Sequence, residues 1–492
     1  MRRADLLALL CAMAATTTTA TASDGPIAPS VIDGTFQRMG SQFVKAGKTD
    51  ALSIAVVDHG TVRFYNFGAT SPGATAAPTQ HTVYEIGSIT KVFTSLLLAH
   101  AIVDGKARAT DDMRKYLPAS YPNLQRDGVP VRLVDLADTT SALPDNLPDF
   151  MKLVATTSPA KLPFAATKQL ADYDRTRLFD DLKTASLSNR PGNAPKHSNL
   201  ASVLLGIVVE KAYGQDFATL LDRLIERPSG MRAGLGGARA KLLLTGYTED
   251  HVAMPALDAP YIASAAGLRY SAEDMSRLLI AELAATDSAI RLSQQLAWGD
   301  VDEDATAFNW KIDRTLDGLL RLRTSGGTFA FSSYIEFYPD AGYGVVLLAN
   351  RPGQTQGELQ TFAEDAFVDM RGKPAMQVAL EDALSKTDFH DAAHVIAKVK
   401  QAYPALNLRE ERINRWGYTL LRAGKTEQAI GLFTYNTDRH AQSWNAWDSL
   451  GEAYEKAGAR DKASASYRRS LELNPTNTHA TQQLKLMASG PG

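Results

Sequence analysis

The chain has 492 residues, room for about three average domains at roughly 150 residues each. With 45% hydrophobic, 22% charged and 8% aromatic residues it has the balance of a folded globular protein, which excludes a disordered or fibrous chain. Lys and Arg number 52 against 54 Asp and Glu, for a net charge of -2, so bulk charge recruits neither nucleic acid nor an anionic membrane. The expected partner is a small or neutral ligand.

Arg2 and Arg3 precede an apolar run from Leu6 to Ala15 and a Thr-rich stretch that ends in Ala20-Thr21-Ala22. Basic, apolar and small residues in that order predict a secretory signal over residues 1–22, cleaved after Ala22. The run is far shorter than the roughly 20 apolar residues a spanning helix needs, and no later run is long enough. Cys11, the sole cysteine, lies inside this segment and follows Leu10, where a lipoprotein site would need a small residue. Cleavage would leave a cysteine-free protein suited to an oxidising periplasm or exterior, and cysteine chemistry is excluded.

Ile32 to Lys45 has helical spacing, and Leu52–Val57 and Thr61–Tyr65 read as strands joined by a turn at His59-Gly60. Next comes Ser88-Ile89-Thr90-Lys91. A serine hydroxyl is a poor nucleophile until its proton is taken, and a lysine three positions on lies one helical turn away on the same face. Val92-Phe93, Leu96 to Ala99 and Ala101 to Val103 are apolar nearly all round and stop at Asp104-Gly105, which predicts a buried helix. Such a helix places Ser88 at its N-terminus, where free amides favour developing negative charge, and keeps Lys91 dry enough to lose its proton. The bland reading is an N-cap serine followed by a snorkelling lysine. A second Ser-x-x-Lys, Ser158 to Lys161, is expected to have no helix after it, with Pro163 interrupting.

Gly234-Leu235-Gly236-Gly237 is a weak phosphate loop, since no strand leads in and no Lys-Ser/Thr follows. Tyr334–Tyr338 and Tyr343–Leu348 predict a second hairpin around Pro339-Asp340, followed by a helix from Glu358 to Met370. Strands near both ends with helices between them indicate an α+β domain whose sheet is assembled from both chain ends. From Lys373 the pattern is all helical. Trp447, Leu450, Gly451, Tyr454, Ala463, Tyr467 and Pro475 have the spacing of a tetratricopeptide repeat. A shift of 34 residues pairs Trp416 with Leu450, Gly417 with Gly451, Gly424 with Gly458, Ala429 with Ala463 and Phe433 with Tyr467. The helices from Gln377 to Tyr403 are read as a degenerate first unit or docking cap. His390 and His394 form the one close histidine pair, but Asp391 stands where a zinc-hydrolase helix needs Glu, so no metal is expected there. A Gly-x-Ser-x-Gly elbow is absent from the sequence.

From Ile32 to Met370 the chain resembles the serine hydrolases that comprise class C β-lactamases, D-alanyl-D-alanine carboxypeptidases and related esterases. The resemblance rests on Glu85 to Thr94 around Ser88-Ile89-Thr90-Lys91, on Leu136 to Pro144, on Pro191-Gly192 through His197-Ser198-Asn199, on Ala265 to Leu268, and on Ser325-Gly326-Gly327-Thr328 leading into Phe331 to Tyr334. It implies a β-lactamase/transpeptidase-like domain, with an antiparallel sheet and a helical region, ahead of an all-α tetratricopeptide module. It implies Ser88 as the acylated nucleophile and Lys91 as its proton acceptor. Asn199 would bond the substrate amide or Lys91, and the amides of Ser88 and Gly327 would form the oxyanion hole.

The family's second motif is usually Tyr-x-Asn, and here it is His197-Ser198-Asn199. An imidazole titrates near neutrality, whereas a phenol needs neighbouring cations to become a useful base, so His197 can serve as the catalytic base with a different reach. The third motif, usually Lys-Thr-Gly or His-x-Gly, reads Thr324-Ser325-Gly326, which would line the substrate site without the usual cation. Arg323 is one residue away, but strand alternation should turn it to the opposite face. The segment around Thr139 also lacks a histidine often found there. These departures weaken a role on carboxylate-bearing β-lactams or D-Ala-D-Ala peptides and leave other esters or amides open. The expectation is therefore an exported serine hydrolase, residues 23–372, joined to a repeat domain, residues 373–492, with a protein partner at the repeats and no metal, cofactor or nucleic acid. The alternative is a catalytically impaired member of the family that serves as a ligand- or protein-binding scaffold.

Overall fold

The computed structural model describes residues 25–389, 391–475 and 477–488; the predicted signal, Cys11 and His390 lie outside them, and His394 is exposed. Eight antiparallel strands form the main sheet. They are β1 (Ala51–Asp58), β2 (Thr61–Gly68), β3 (Trp298–Gly299), β4 (Ala305–Thr306), β5 (Lys311–Arg314), β6 (Leu320–Gly327), β7 (Ser332–Tyr338) and β8 (Tyr343–Ala349), in the order β2-β1-β8-β7-β6-β5-β4-β3. The β1–β2 hairpin closes at His59-Gly60, both with positive φ, the two-residue turn whose twist matches that of its strands. Pairing of Leu52 with Ala349 through Asp58 with Tyr343 joins the two ends of the domain, as the α+β reading requires.

The central strands β1, β7 and β8 are buried along their whole length, and alternation divides their apolar side chains between two cores. Ala55, Val57, Val346 and Leu348 face the large helical region between Tyr84 and Trp310. Leu52, Ile54, Val56, Val345 and Leu347 face the helices Pro29–Lys45 and Thr355–Arg371 through Phe36, Leu359, Phe362 and Phe367. Both helices begin about a turn before the predicted segments Ile32–Lys45 and Glu358–Met370. The expectation at Ser158 needs correcting: a helix, Leu162–Ala171, does follow it, with Pro163 in its first turn. There the missing N–H of proline costs nothing, because that position has no intrahelical acceptor to lose. Ser158 and Lys161 are both exposed, on a turn before that helix.

From Ala375 the described chain is helical. Ala375–Lys386 and Ala392–Ala402 form one pair, Glu410–Arg422 and Thr426–Arg439 a second, and Trp444–Lys456 and Arg460–Leu473 a third, followed by Thr478–Ala488. The repeat pattern has a direct packing meaning. A Cβ on Gly417 would strike the Phe433 ring, one on Gly451 would strike the Tyr467 ring, and Gly424 and Gly458 both hold the inter-helix turn at φ +74.

The repeats are bolted to the sheet. Leu316, in the turn between β5 and β6, enters the apolar core of the repeats. Beside it Asp313 is fully buried, with Arg321, Arg323 and Arg409 at 2.8, 2.9 and 3.0 Å. Burial alone would raise the Asp313 carboxyl, but the three guanidinium groups hold it far below the usual carboxylate range. Arg323 also reaches Glu411 of the repeats at 3.3 Å, and Glu364 pairs with both Arg321 and Arg415. The face of β6 opposite Ser88 is thus committed to holding the second module.

Candidate active site

Strand Val83–Glu85 leads into a single 3-10 turn, Gly87–Ile89, that continues directly as the helix Thr90–Val103. That helix is buried on all sides from Thr90 to Ala99, so the lysine in its first turn is only 5% exposed. Lys91 Nζ lies 2.7 Å from Ser88 Oγ, 2.8 Å from Asn199 Oδ1 and 3.0 Å from the carbonyl of Ala265. Desolvation lowers its pKa from 10.5 to about 7, with Asp145 acting in the opposite direction. A neutral amine has two N–H bonds and one lone pair. Asn199 and Ala265 can take the two hydrogens, which leaves the lone pair for the Ser88 hydroxyl.

Each partner is positioned by its own element. Asn199 opens the helix Asn199–Tyr213, whose N-cap Ser198 accepts from Ala201 N–H. Its Nδ2 donates to Asn146 Oδ1 at 3.0 Å, which fixes Oδ1 toward Lys91. Ala265 lies in the short helix Ala263–Ala266, so the Ala265 to Leu268 segment supplies a carbonyl to the amine.

On the other side of Ser88 two backbones meet. Gly87 has φ +51, and a Cβ there would stand 2.6 Å from the Gly327 nitrogen. A Cβ on Gly326 would meet the carbonyl of Ile86 more closely still, and Ser333 Oγ donates to that carbonyl at 2.8 Å. Only glycine at both positions lets β6 approach the serine turn, and the Gly327 amide then sits beside the residue that precedes Ser88. Alternation places Thr324 on the same face as Gly326. Ser325 points the other way, where Gln356 Nε2 donates to its hydroxyl at 2.7 Å, and Arg323 is held by Asp313 and Glu411. The site therefore gathers Ser88, Lys91 and Asn199 into one bonded group, with Gly326, Gly327 and Thr324 along one edge.

His197 stands apart from that group: its Nδ1 lies 2.7 Å from Asp145 Oδ1, and its side chain is 58% exposed. Burial pushes the Asp145 carboxyl up, but the bond and charge of His197, the Asn199 N–H and Lys91 outweigh it and hold the group below its usual range. Asp145, Asn146 and Gln356 were not foreseen from sequence. Asp145-Asn146 directly follows the Leu136 to Pro144 segment, but nothing local marks it as the partner of a histidine 52 positions later. Gln356 carries no local signal at all.

Comparison with known proteins places the fold in a family. The Beta-lactamase family model matches residues 36–369, and a tetratricopeptide repeat model matches residues 444–477. Two of the relatives are from Escherichia coli K12. D-alanyl-D-alanine-carboxypeptidase/endopeptidase AmpH is 29% identical over 47% of this chain and 57% of its own length. A protein named Beta-lactamase is 25% identical over 70% of this chain and 94% of its own. A solved Beta-lactamase/D-alanine Carboxypeptidase from Yersinia pestis complexed with citrate shares the fold, with TM-score 0.57 and 23% identity over 69% of this chain and 97% of that one. The matched stretch spans little more than half of AmpH, whereas it covers nearly all of the two β-lactamase-type proteins. By its matched family model, its sheet and the Ser88–Lys91 turn that the sheet supports, the chain belongs to the beta-lactamase family and carries a tetratricopeptide repeat near its C-terminus.

Proposed function

We propose that the protein is an exported serine hydrolase that forms an acyl-enzyme on Ser88 from an ester or amide substrate and then hydrolyses it. The observation that carries this is the buried Lys91 amine, 2.7 Å from Ser88 Oγ, with its pKa brought to about 7. In acylation the Ser88 hydroxyl passes its proton to Lys91 Nζ as the Oγ–carbon bond forms, and that proton departs with the alcohol or amine leaving group. The Ser88 and Gly327 amides receive the oxyanion. In deacylation a water loses a proton to a base, for which His197 is the candidate, and Ser88 Oγ regains one as the carbon–Oγ bond breaks.

The names of the relatives point to β-lactams and D-alanyl peptides. The third motif argues for a different preference here. Thr324 replaces the cation, and the neighbouring Arg323 is bound to Asp313 and Glu411 on the far face, so an ester or amide without a carboxylate at that point is the better fit. We assign hydrolysis to residues 23–372 and a protein-docking role to residues 373–492. Export rests on the pattern of the first 22 residues. No helix among the described residues is long and apolar enough to cross a membrane. The test is hydrolysis of an activated ester by Ser88→Ala. Loss of about 10⁴-fold or more in kcat is expected, and turnover equal to wild type would eliminate the reading.

A further inference from the structure

We infer that Asp145 is a positioning residue for His197, holding the imidazole so that its Nε2 takes the proton of the water that hydrolyses the Ser88 acyl-enzyme. This rests on the acyl-enzyme reading above and adds a residue, an atom and a step to it. An ionised carboxylate can only accept, so the 2.7 Å contact of Asp145 Oδ1 with His197 Nδ1 places the hydrogen on Nδ1 and leaves the lone pair of a neutral ring on Nε2. The Asn199 N–H, which also faces Asp145, favours that ionised form.

The pair is built into the same segment as the Lys91 partner. Ser198 is extended, with φ -153 and ψ 112, so His197 and Asn199 project to one side while Ser198 Oγ turns inward to the Pro144 carbonyl. Asp145 Oδ1 also accepts from Asn199 N–H at 3.4 Å, and the Asp145 carbonyl accepts from Leu200 N–H at 3.0 Å. One residue thus fixes the imidazole and the start of the helix whose first side chain reaches Lys91.

Burial separates the two proton acceptors. Lys91 is enclosed and bonded to Ser88, which suits it to the serine proton, whereas the exposed ring of His197 meets solvent, from which a hydrolytic water must come. In the step assigned here the water O–H bond breaks and its proton goes to Nε2 while the water oxygen bonds the acyl carbon. The carbon–Oγ bond then breaks, and the imidazolium returns that proton to Ser88 Oγ. The products are a carboxylic acid and free Ser88.

The test uses the full chain with p-nitrophenyl acetate, following the pre-steady-state burst, steady-state turnover and intact mass. Asp145→Asn removes the charge that fixes the imidazole and lets an amide N–H compete for Nδ1, and is expected to lower turnover about 100-fold while the Ser88 acetyl adduct accumulates. His197→Ala is expected to behave alike, and the double variant no worse than either, since both changes remove one function. A purely structural Asp145 would instead lower burst and turnover together and multiply with His197→Ala, which would overturn the pair. So would Asp145→Asn turning over like wild type with an adduct present; absence of any Ser88 adduct in the wild type and in both variants would sink the acyl-enzyme reading itself. Should Asp145→Asn not fold, ¹⁵N-histidine NMR of the wild type near about pH 8 decides the point, with the signal assigned through His197→Gln. Hydrogen on Nδ1 is expected, and hydrogen on Nε2 would overturn the assignment.

Discussion

In the beta-lactamase domain Gly87 and Gly327 bring two pieces of backbone together, whereas in the repeats Gly417 and Gly451 admit the rings of Phe433 and Tyr467. The first kind of contact leaves a hydroxyl, amides and a titratable amine at one point, open to chemistry. The second fills its space with carbon, and any role of that module must lie on its surface. Buried charge differs in the same way. Lys91 is kept apart from a full counter-charge and is ready to change protonation, whereas Asp313 is held by Arg321, Arg323 and Arg409 and is locked in one state.

The sharpest way to break this contrast is Gly87→Ala. Its Cβ would meet the Gly327 nitrogen at 2.6 Å and push β6 off the serine turn. We expect a loss of about 100- to 1000-fold in kcat, the usual cost of one missing oxyanion donor, from steady-state kinetics on an activated ester. Near-normal kcat would show that Gly327 does not serve the oxyanion.

Gly451→Ala is the corresponding change in the repeats, where the new methyl meets the Tyr467 ring at 2.7 Å. Overpacking of this kind costs about 1–3 kcal/mol, and denaturant unfolding should show it in the repeat module while ester hydrolysis is retained. Parallel loss of kcat would show that the junction around Asp313 transmits strain to β6 and that the modules are not energetically separate.

The smallest effect is expected at Ala142, which has φ 58 in the segment after Asp138. A residue with a Cβ pays about 1–2 kcal/mol in the left-handed region, partly offset by the greater unfolded freedom of glycine. Ala142→Gly should therefore stabilise the domain by about 0.5 kcal/mol in thermal unfolding, and destabilisation would show that Ala142 packing outweighs its backbone strain.

The same contrast explains how much could be read in advance. Ser88 and Lys91 lie within one helical turn, and the repeat residues recur at a fixed period, so both patterns are local. Their elements and the joining of the two chain ends into one sheet follow from apolar periodicity. Asp145 and Gln356 act on residues far along the chain, His197 and Ser325, and no spacing rule links them. Pro163 misled because proline breaks a helix interior but begins a helix well, and only the position of the helix start distinguishes the two.

The central claim is that burial makes Lys91 a neutral base at physiological pH. Its pKa of about 7 against an ordinary 10.5 means that, between these values, the unfolded chain binds a proton the folded chain does not. Folding stability should therefore gain with rising pH across that window, and the reactive form of the site should fill as pH passes about 7. The most direct measurement is the rate of Ser88 modification by a fluorophosphonate as a function of pH, read by mass spectrometry at Ser88. The account predicts a rate that climbs with a midpoint near about 7, levels off above it, and vanishes in Lys91→Met. A midpoint near the ordinary lysine value, or equal labelling in Lys91→Met, would contradict it.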